Sequence, residues 1–186
     1  NPETTTVDGP VSRQIATESW STLISGAGNA AADAVSGGES IRIDCYSVSD
    51  LYEYLGRSIY LFDTSSIGQS DLTSSSLALF GFGRALPDIT PVSSSPASNI
   101  ALAIGDFQTT GSVTLGSVIS YSSWSTTAYN SFVLNAAGLL EINKTGVSKL
   151  GTKNNNYDIS SVAPPWVNSA SCSLSAWYAD ASGTST

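Results

Sequence analysis

The stretch Arg57-Ser-Ile-Tyr-Leu-Phe-Asp63 decides the class of fold. Ile59, Tyr60, Leu61 and Phe62 follow one another with no polar residue between them, and a charge closes the run at each end. A run this short and this apolar reads as a strand covered on both faces. Its neighbours carry the complementary pattern. Ser40–Ser47 alternates, with Ile41, Ile43 and Cys45 on one face and Arg42, Asp44 and Tyr46 on the other. Ser76–Phe82 puts Leu77, Leu79 and Gly81 on one face.

Working outward, short β-branched, aromatic and aliphatic runs alternate with Ser/Gly/Asn/Asp clusters at even spacing. Thr4–Arg13 reads as a first extended segment broken by Asp8-Gly9-Pro10, and Ser19–Ile24 as a strand-like segment with Trp20 and Leu23. Gly26–Gly38 reads as a loop, and Pro87–Ser98, with three prolines, as a long loop or an edge. Ser112–Ile119, Ser131–Leu134, Lys149–Lys153 and Ser171–Ala179 complete the strands, Gly116 marking a bulge. Asn135–Asn143 is the one helix expected, capped by Asn135, with Leu139, Leu140 and Ile142 as its apolar stripe. The expectation is an all-β jelly-roll sandwich of about eight to ten strands with one short helix, in a single domain over residues 1–186.

Composition narrows the chemistry. The 186 residues carry a net charge of −8, only 12% charged residues, and no His. Without His there is no Ser-His-Asp triad, no Cys-His dyad and no His-ligated metal. Seven Lys and Arg, scattered from Arg13 to Lys153, leave no basic footprint for nucleic acid. No apolar run reaches the roughly 18 residues of a membrane helix, so no membrane insertion is expected. Ser and Thr number 52, which suits the outward faces and turns of a sandwich at an extracellular or virion surface. The chain opens on Asn1 and holds no Met, as a processed product or a fragment would.

Several groups invite a chemical reading. Gly26-Ala-Gly28-Asn-Ala-Ala31 matches a loose dinucleotide loop, but Gly37-Gly38 and the next strand leave no room for the helix that loop requires. Glu3, Glu18, Glu39, Glu53 and Glu141 are isolated, with no glycosidase-like pair, and there is no Gly-x-Ser-x-Gly elbow. No enzyme is expected, no cofactor and no catalytic residue. Asp8, Asp50, Asp158 and Asp180 sit at turn-like positions, where they could hold structural calcium or serve as ordinary turn residues. Tyr52 and Tyr54, placed in the loop before the central strand, and Tyr157 and Trp166, in the 154–168 loop, are the candidate ligand contacts, since exposed rings stack on sugar faces. Burial beneath a neighbouring loop is their alternative. Trp20, Trp124 and Trp177 read as packing residues. Cys45 and Cys172 share the inward face of their strands, so they are either a disulfide or two buried thiols. A bridge would be worth up to about 4–5 kcal/mol in the chain-entropy model. Asn143-Lys-Thr145 fits a glycosylation sequon, and Arg57 and Asp63 read as groups pinning neighbouring loops.

Three segments together carry a resemblance: Arg57-Ser-Ile-Tyr-Leu-Phe-Asp-Thr-Ser-Ser-Ile67 with Ser74-Ser-Ser-Leu-Ala-Leu-Phe-Gly81; Ala128-Tyr-Asn-Ser-Phe-Val-Leu-Asn-Ala-Ala-Gly-Leu139 with Ile142-Asn-Lys-Thr-Gly146; and Trp177-Tyr-Ala-Asp-Ala-Ser-Gly-Thr184. They resemble the DNRLRE-type β-sandwich modules of secreted bacterial proteins, and more closely the related tail or surface proteins of bacteriophages, from about Val7 to Thr184. The resemblance implies a jelly roll, a virion-surface or extracellular location, no enzyme activity, and in some members polysaccharide binding. Such modules continue past a segment like Ala179–Thr184 with one more strand. The expectation is therefore a domain lacking its final C-terminal strand, either by truncation or because another chain supplies it by donor-strand complementation. The functional expectation is a structural or attachment module of a virion (tail, fibre or decoration protein). The alternatives are a secreted carbohydrate-binding module and an extracellular filament subunit. The expected partners are other copies or virion or filament proteins, and cell-surface polysaccharide.

Overall fold

A computed structural model describes residues 6–181. Its ten strands are β1 (Asp8–Glu18), β2 (Ala30–Ala31), β3 (Gly37–Cys45), β4 (Tyr52–Asp63), β5 (Ser76–Ala85), β6 (Ile89–Ser94), β7 (Thr110–Thr114), β8 (Tyr129–Val133), β9 (Val147–Asn154) and β10 (Ser171–Trp177). They form one antiparallel sheet in the order β7-β6-β9-β4-β3-β10-β5-β8, with β1 alongside β4 and β2 alongside β1. The sheet curls on itself, and the fold is an all-β sandwich.

β4 makes this possible. Its first half, Tyr52–Gly56, pairs with β3, its second half, Ser58–Asp63, pairs with β9, and β1 follows it from Tyr52 to Tyr60. The two layers part at Arg57. Between them, Tyr60, Leu77, Leu79, Phe132, Trp124, Leu150 and Leu174 form one core. A second core, of Val11, Trp20, Leu23, Ile43, Leu55, Ile59 and Phe107, lies on the other side of β4. The apolar run read from the sequence is thus covered on both faces.

Several elements differ from the sequence reading. Ser19–Ile24 is not strand-like: α1 (Trp20–Ser25) begins after Ser19, whose hydroxyl caps the amide of Thr22, and Trp20 and Leu23 bury one face three residues apart. Asp8-Gly9-Pro10 does not break the first strand but pairs with Tyr60, Ile59 and Ser58. Pro10 is tolerated because its carbonyl accepts from Ala32, so its missing N–H lies on the side away from β4. At Gly9 a Cβ would run into the carbonyl of Ala32, so only glycine fits. Pro91 sits the same way inside β6, its carbonyl turned to Leu115, and the expected loop or edge there is a strand between β7 and β9. Ala30–Ala31 and Gly37–Gly38 are strand residues within the expected Gly26–Gly38 loop. Thr4 and Thr5 of the first segment, and Ser182–Thr184 of the third resembling segment, lie outside the described residues, as does any strand beyond them.

The expected helix is α2 (Ala136–Leu140). Asn135 Oδ1 accepts from the amide of Gly138 at 2.9 Å, and its Nδ2 donates to the Thr114 carbonyl at 2.9 Å. Leu139 and Ile142 pack on the core, but Leu140 is 88% exposed and drops out of the stripe, because five residues make too short a helix to bury a second turn. Asn135→Ala removes both hydrogen bonds and is expected to destabilise the protein by about 1–2 kcal/mol, read from the urea midpoint. An unchanged midpoint would show that the cap is not holding the helix.

Candidate functional site

The four aromatic candidates are not one surface. The β3–β4 register passes from Asp44 opposite Tyr54 to Cys45 opposite Tyr52, leaving Glu53 as a bulge. Tyr52 and Tyr54 therefore lie in β4, not in a loop, and face different surroundings. Tyr52 is 3% exposed, and its hydroxyl donates to the Pro164 carbonyl at 2.6 Å. Trp166 Nε1 donates to the Tyr46 carbonyl at 3.0 Å, and Tyr157 packs on the same core. These three rings fasten the 160–168 segment. Tyr54 lies under the guanidinium of Arg42, 4.7 Å from its ring centre.

Cys45 and Cys172 are free thiols on one face of neighbouring strands. Cys172 stands opposite Ile43, so Cys45 is its diagonal neighbour, a spacing that a disulfide does not span without backbone movement. Both line an apolar cavity of about 190 Å³ with Tyr157, Pro164 and Val167. Burial pushes the Cys172 thiol up to about 11. At about pH 8, iodoacetamide is therefore expected to spare Cys172 in the native protein and to modify both thiols after denaturation. A non-reducing mass lacking two hydrogens would instead reveal a bridge.

The aspartates are dispersed. Asp158 is 5% exposed and accepts from Arg57 Nε at 2.7 Å and Nη2 at 2.8 Å, so it pins the segment Asn155–Ile159 to β4. Lys153 stands 4.0 Å from the same carboxylate, and burial lowers its amine to about 8. Asp50 lies in an exposed turn, hydrogen-bonded by Ser49. Among the described residues, no three acidic or Cys side chains group as a metal site requires.

Asp8 and Asp180 do come together, at a place no sequence pattern marked. A cleft of about 370 Å³ opens where the end of β4 and the start of β1 part from β5 and β10. Tyr60 and Leu79 floor it. Phe62, Phe80, Tyr129 and Trp177 wall it, Phe62 being 42% and Tyr129 53% exposed. Phe80 and Tyr129 meet edge to face at 5.2 Å, and Trp177 stacks on Phe82 at 4.4 Å. A second cavity of about 330 Å³ shares Phe62 and Ala78 with it and runs on over Leu77, Leu134 and Leu150.

The cleft is acidic, and among the described residues no cation stands in it. Asp8 Oδ2 accepts from the amide of Ala179 at 3.1 Å, while Oδ1 is buried without a partner among the described residues, as is Asp180 Oδ2. Burial, reinforced by Asp180, pushes the Asp8 carboxyl up to about 6. Asp63, at the mouth, is held below the usual range by the Ser65 hydroxyl and by the Ser65 amide, which donates to it. No Lys or Arg lines the cleft.

The cleft residues were hidden for physical reasons. Phe80 and Phe82 alternate with Leu77 and Leu79, so their outward direction was legible, whereas Phe62 sits in a run with no polar face. Asp8 and Ala179 are 171 residues apart, and no local pattern joins them.

No family model matches this sequence, and neither a curated protein nor a solved structure does. Among the described residues no helix is long and apolar enough to cross a membrane.

Because Asp8 binds its proton more tightly in the folded state than in the unfolded chain, its carboxylate costs stability above about pH 6. That cost fades as the pH falls toward 3.8. Asp8→Asn is expected to raise Tm by a few degrees at about pH 7.5 and to leave it unchanged at about pH 4. An equal shift at both pH values would show that the carboxylate's charge is not the cause.

Proposed function

We propose that the chain is a non-enzymatic attachment module, a rigid sandwich that joins an extracellular or virion assembly to a partner seated in its aromatic cleft. The observation that carries this reading is the cleft itself. Exposed rings, an apolar floor and carboxylates without counter-charges leave binding capacity unused within the fold. The resemblance to phage tail and surface modules supplies the virion setting. Charge-poor, hydroxyl-rich outer faces suit such a surface.

The exposed rings Phe62 and Tyr129 also favour a second reading, a carbohydrate-binding module, because rings beside carboxylates can stack on a sugar and take its hydroxyl protons. The cleft, and not Tyr52, Tyr157 or Trp166, would then hold the saccharide.

Retention of the labelled protein on particles or filaments from its own source, compared with binding to a glycan array, separates the readings. The attachment reading expects retention that Phe62→Ser/Tyr129→Ser reduces about tenfold or more without lowering Tm, and no glycan signal. A glycan signal lost in the same variant would replace it with carbohydrate binding. Retention unchanged in that variant would remove the cleft from the function.

A further inference from the structure

We infer that the cleft receives an extended segment of a partner protein as an added strand on the Ala78–Phe80 edge of β5, with a Lys or Arg of that segment seated beside Asp8. This rests on the attachment reading and names the partner's chemistry.

The first support is backbone. The amide of Gly81 donates to the carbonyl of Ala128, and the carbonyl of Ser75 accepts from Leu134, so the odd-numbered residues of this stretch turn their backbone groups to the β8 side. Ala78 and Phe80 turn theirs the other way, and both line the cleft. β10 occupies that side only from Gly81 onward, where the pairing of Gly81 with Ala176 draws on the Phe80 carbonyl; Ala78 and the Phe80 amide are left without a strand partner there among the described residues. Protein edges are normally blocked by a Lys, a Pro or a covering element. Here the edge residues are Ala78, Leu79 and Phe80.

The second support is the floor. An added strand points alternate side chains one way, and Leu79, continuing to Leu77 in the adjoining cavity, offers apolar seats for that face.

The third is charge. Asp8 and Asp180 each leave an oxygen without a partner among the described residues. All seven cations of this chain are engaged elsewhere: Arg13 with Glu18, Arg42 with Asp44, and Arg57 and Lys153 with Asp158. Arg84, Lys144 and Lys149 bond the carbonyls of Trp124, Ser70 and Pro96. Among the described residues no Lys or Arg lines the cleft or acts on Asp8, so the cation is supplied by the docked segment. Held beside Asp8, it would also meet the faces of nearby rings. A saccharide could use the rings and carboxylates, but it has no repeating N–H and C=O register to pair with a strand edge.

The test is fluorescence anisotropy with labelled eight-residue peptides of alternating Thr and Val carrying one central Lys, norleucine or Glu, with an amino-sugar tetramer as competitor. The Lys peptide is expected to bind about tenfold more tightly than the norleucine peptide and more tightly still than the Glu peptide. Asp8→Asn should abolish the preference for Lys over norleucine. Ala78→Pro, which removes an N–H facing the cleft, should abolish binding of every peptide while Tm is retained. Should that variant fail to fold, amide exchange at Ala78 and Phe80 in the unmodified protein is the substitute reading: peptide binding must slow it, and unchanged exchange there would overturn the proposal. No binding of the Lys peptide at about 1 mM, or equal binding of the Lys and Glu peptides, would overturn the proposal. Binding of the amino sugar alone would overturn it in favour of a saccharide. In each case the attachment reading is judged separately by particle retention.

Discussion

Arg57, 3% exposed, stands at the residue where β4 exchanges one neighbouring strand for another. Before it the strand belongs with β3, after it with β9, and a cavity at that fork would expose backbone from both layers. The guanidinium fills it. Two of its nitrogens clasp Asp158, a third donates to the Phe107 carbonyl at 2.8 Å, and its plane lies 4.0 Å from the Phe107 ring. Burying an ion pair gives little net stability when its donors and acceptors are satisfied, but leaving one partner alone costs about 3–5 kcal/mol. The pair thus acts chiefly as a registration device. It ties β4, the turn that leads into β7 and the segment after β9 to a single geometry.

The cleft follows from that fork. Once β9 has carried the far half of β4 into one layer, β10 and β5 belong to the other, and the layers are bridged by the hydrogen bond of Asp8 to Ala179 and that of Ser58 to Tyr178. Core side chains close the interior, while the rim keeps its rings exposed and its carboxylates unpaired. The energetic contrast is sharp. Each oxygen of Asp158 accepts from Arg57, whereas Asp8 is desolvated with one oxygen lacking a donor among the described residues, a cost that a binding site accepts when a ligand supplies the missing cation.

The fold was legible where one residue type answers to one environment. The apolar run in β4, the inward set Ile41, Ile43 and Cys45, and the cap at Asn135 all follow from local pattern. It was misread where the environment lies far along the chain. Trp20 and Leu23 suit a strand by propensity, and only the second core makes them one face of a helix. Pro10 and Pro91 suggest loops until the direction of their carbonyls is known. Tyr52 and Tyr54 read as loop residues, but β4 extends through a bulge at Glu53 to reach them, and Tyr52 turns into the second core. The role read for Arg57, pinning a neighbouring loop, matches its contacts. The cleft was the least legible feature, since it joins the beginning of β1 to the residues after β10.

Amide hydrogen exchange in the isolated protein tests the unpaired edge most directly. The account predicts slow exchange at Leu77, Leu79 and Gly81, whose amides face β8, and fast exchange at Ala78 and Phe80. Protection of Ala78 and Phe80 equal to that of their odd-numbered neighbours would mean the edge is already filled, and would contradict a cleft built to receive a strand.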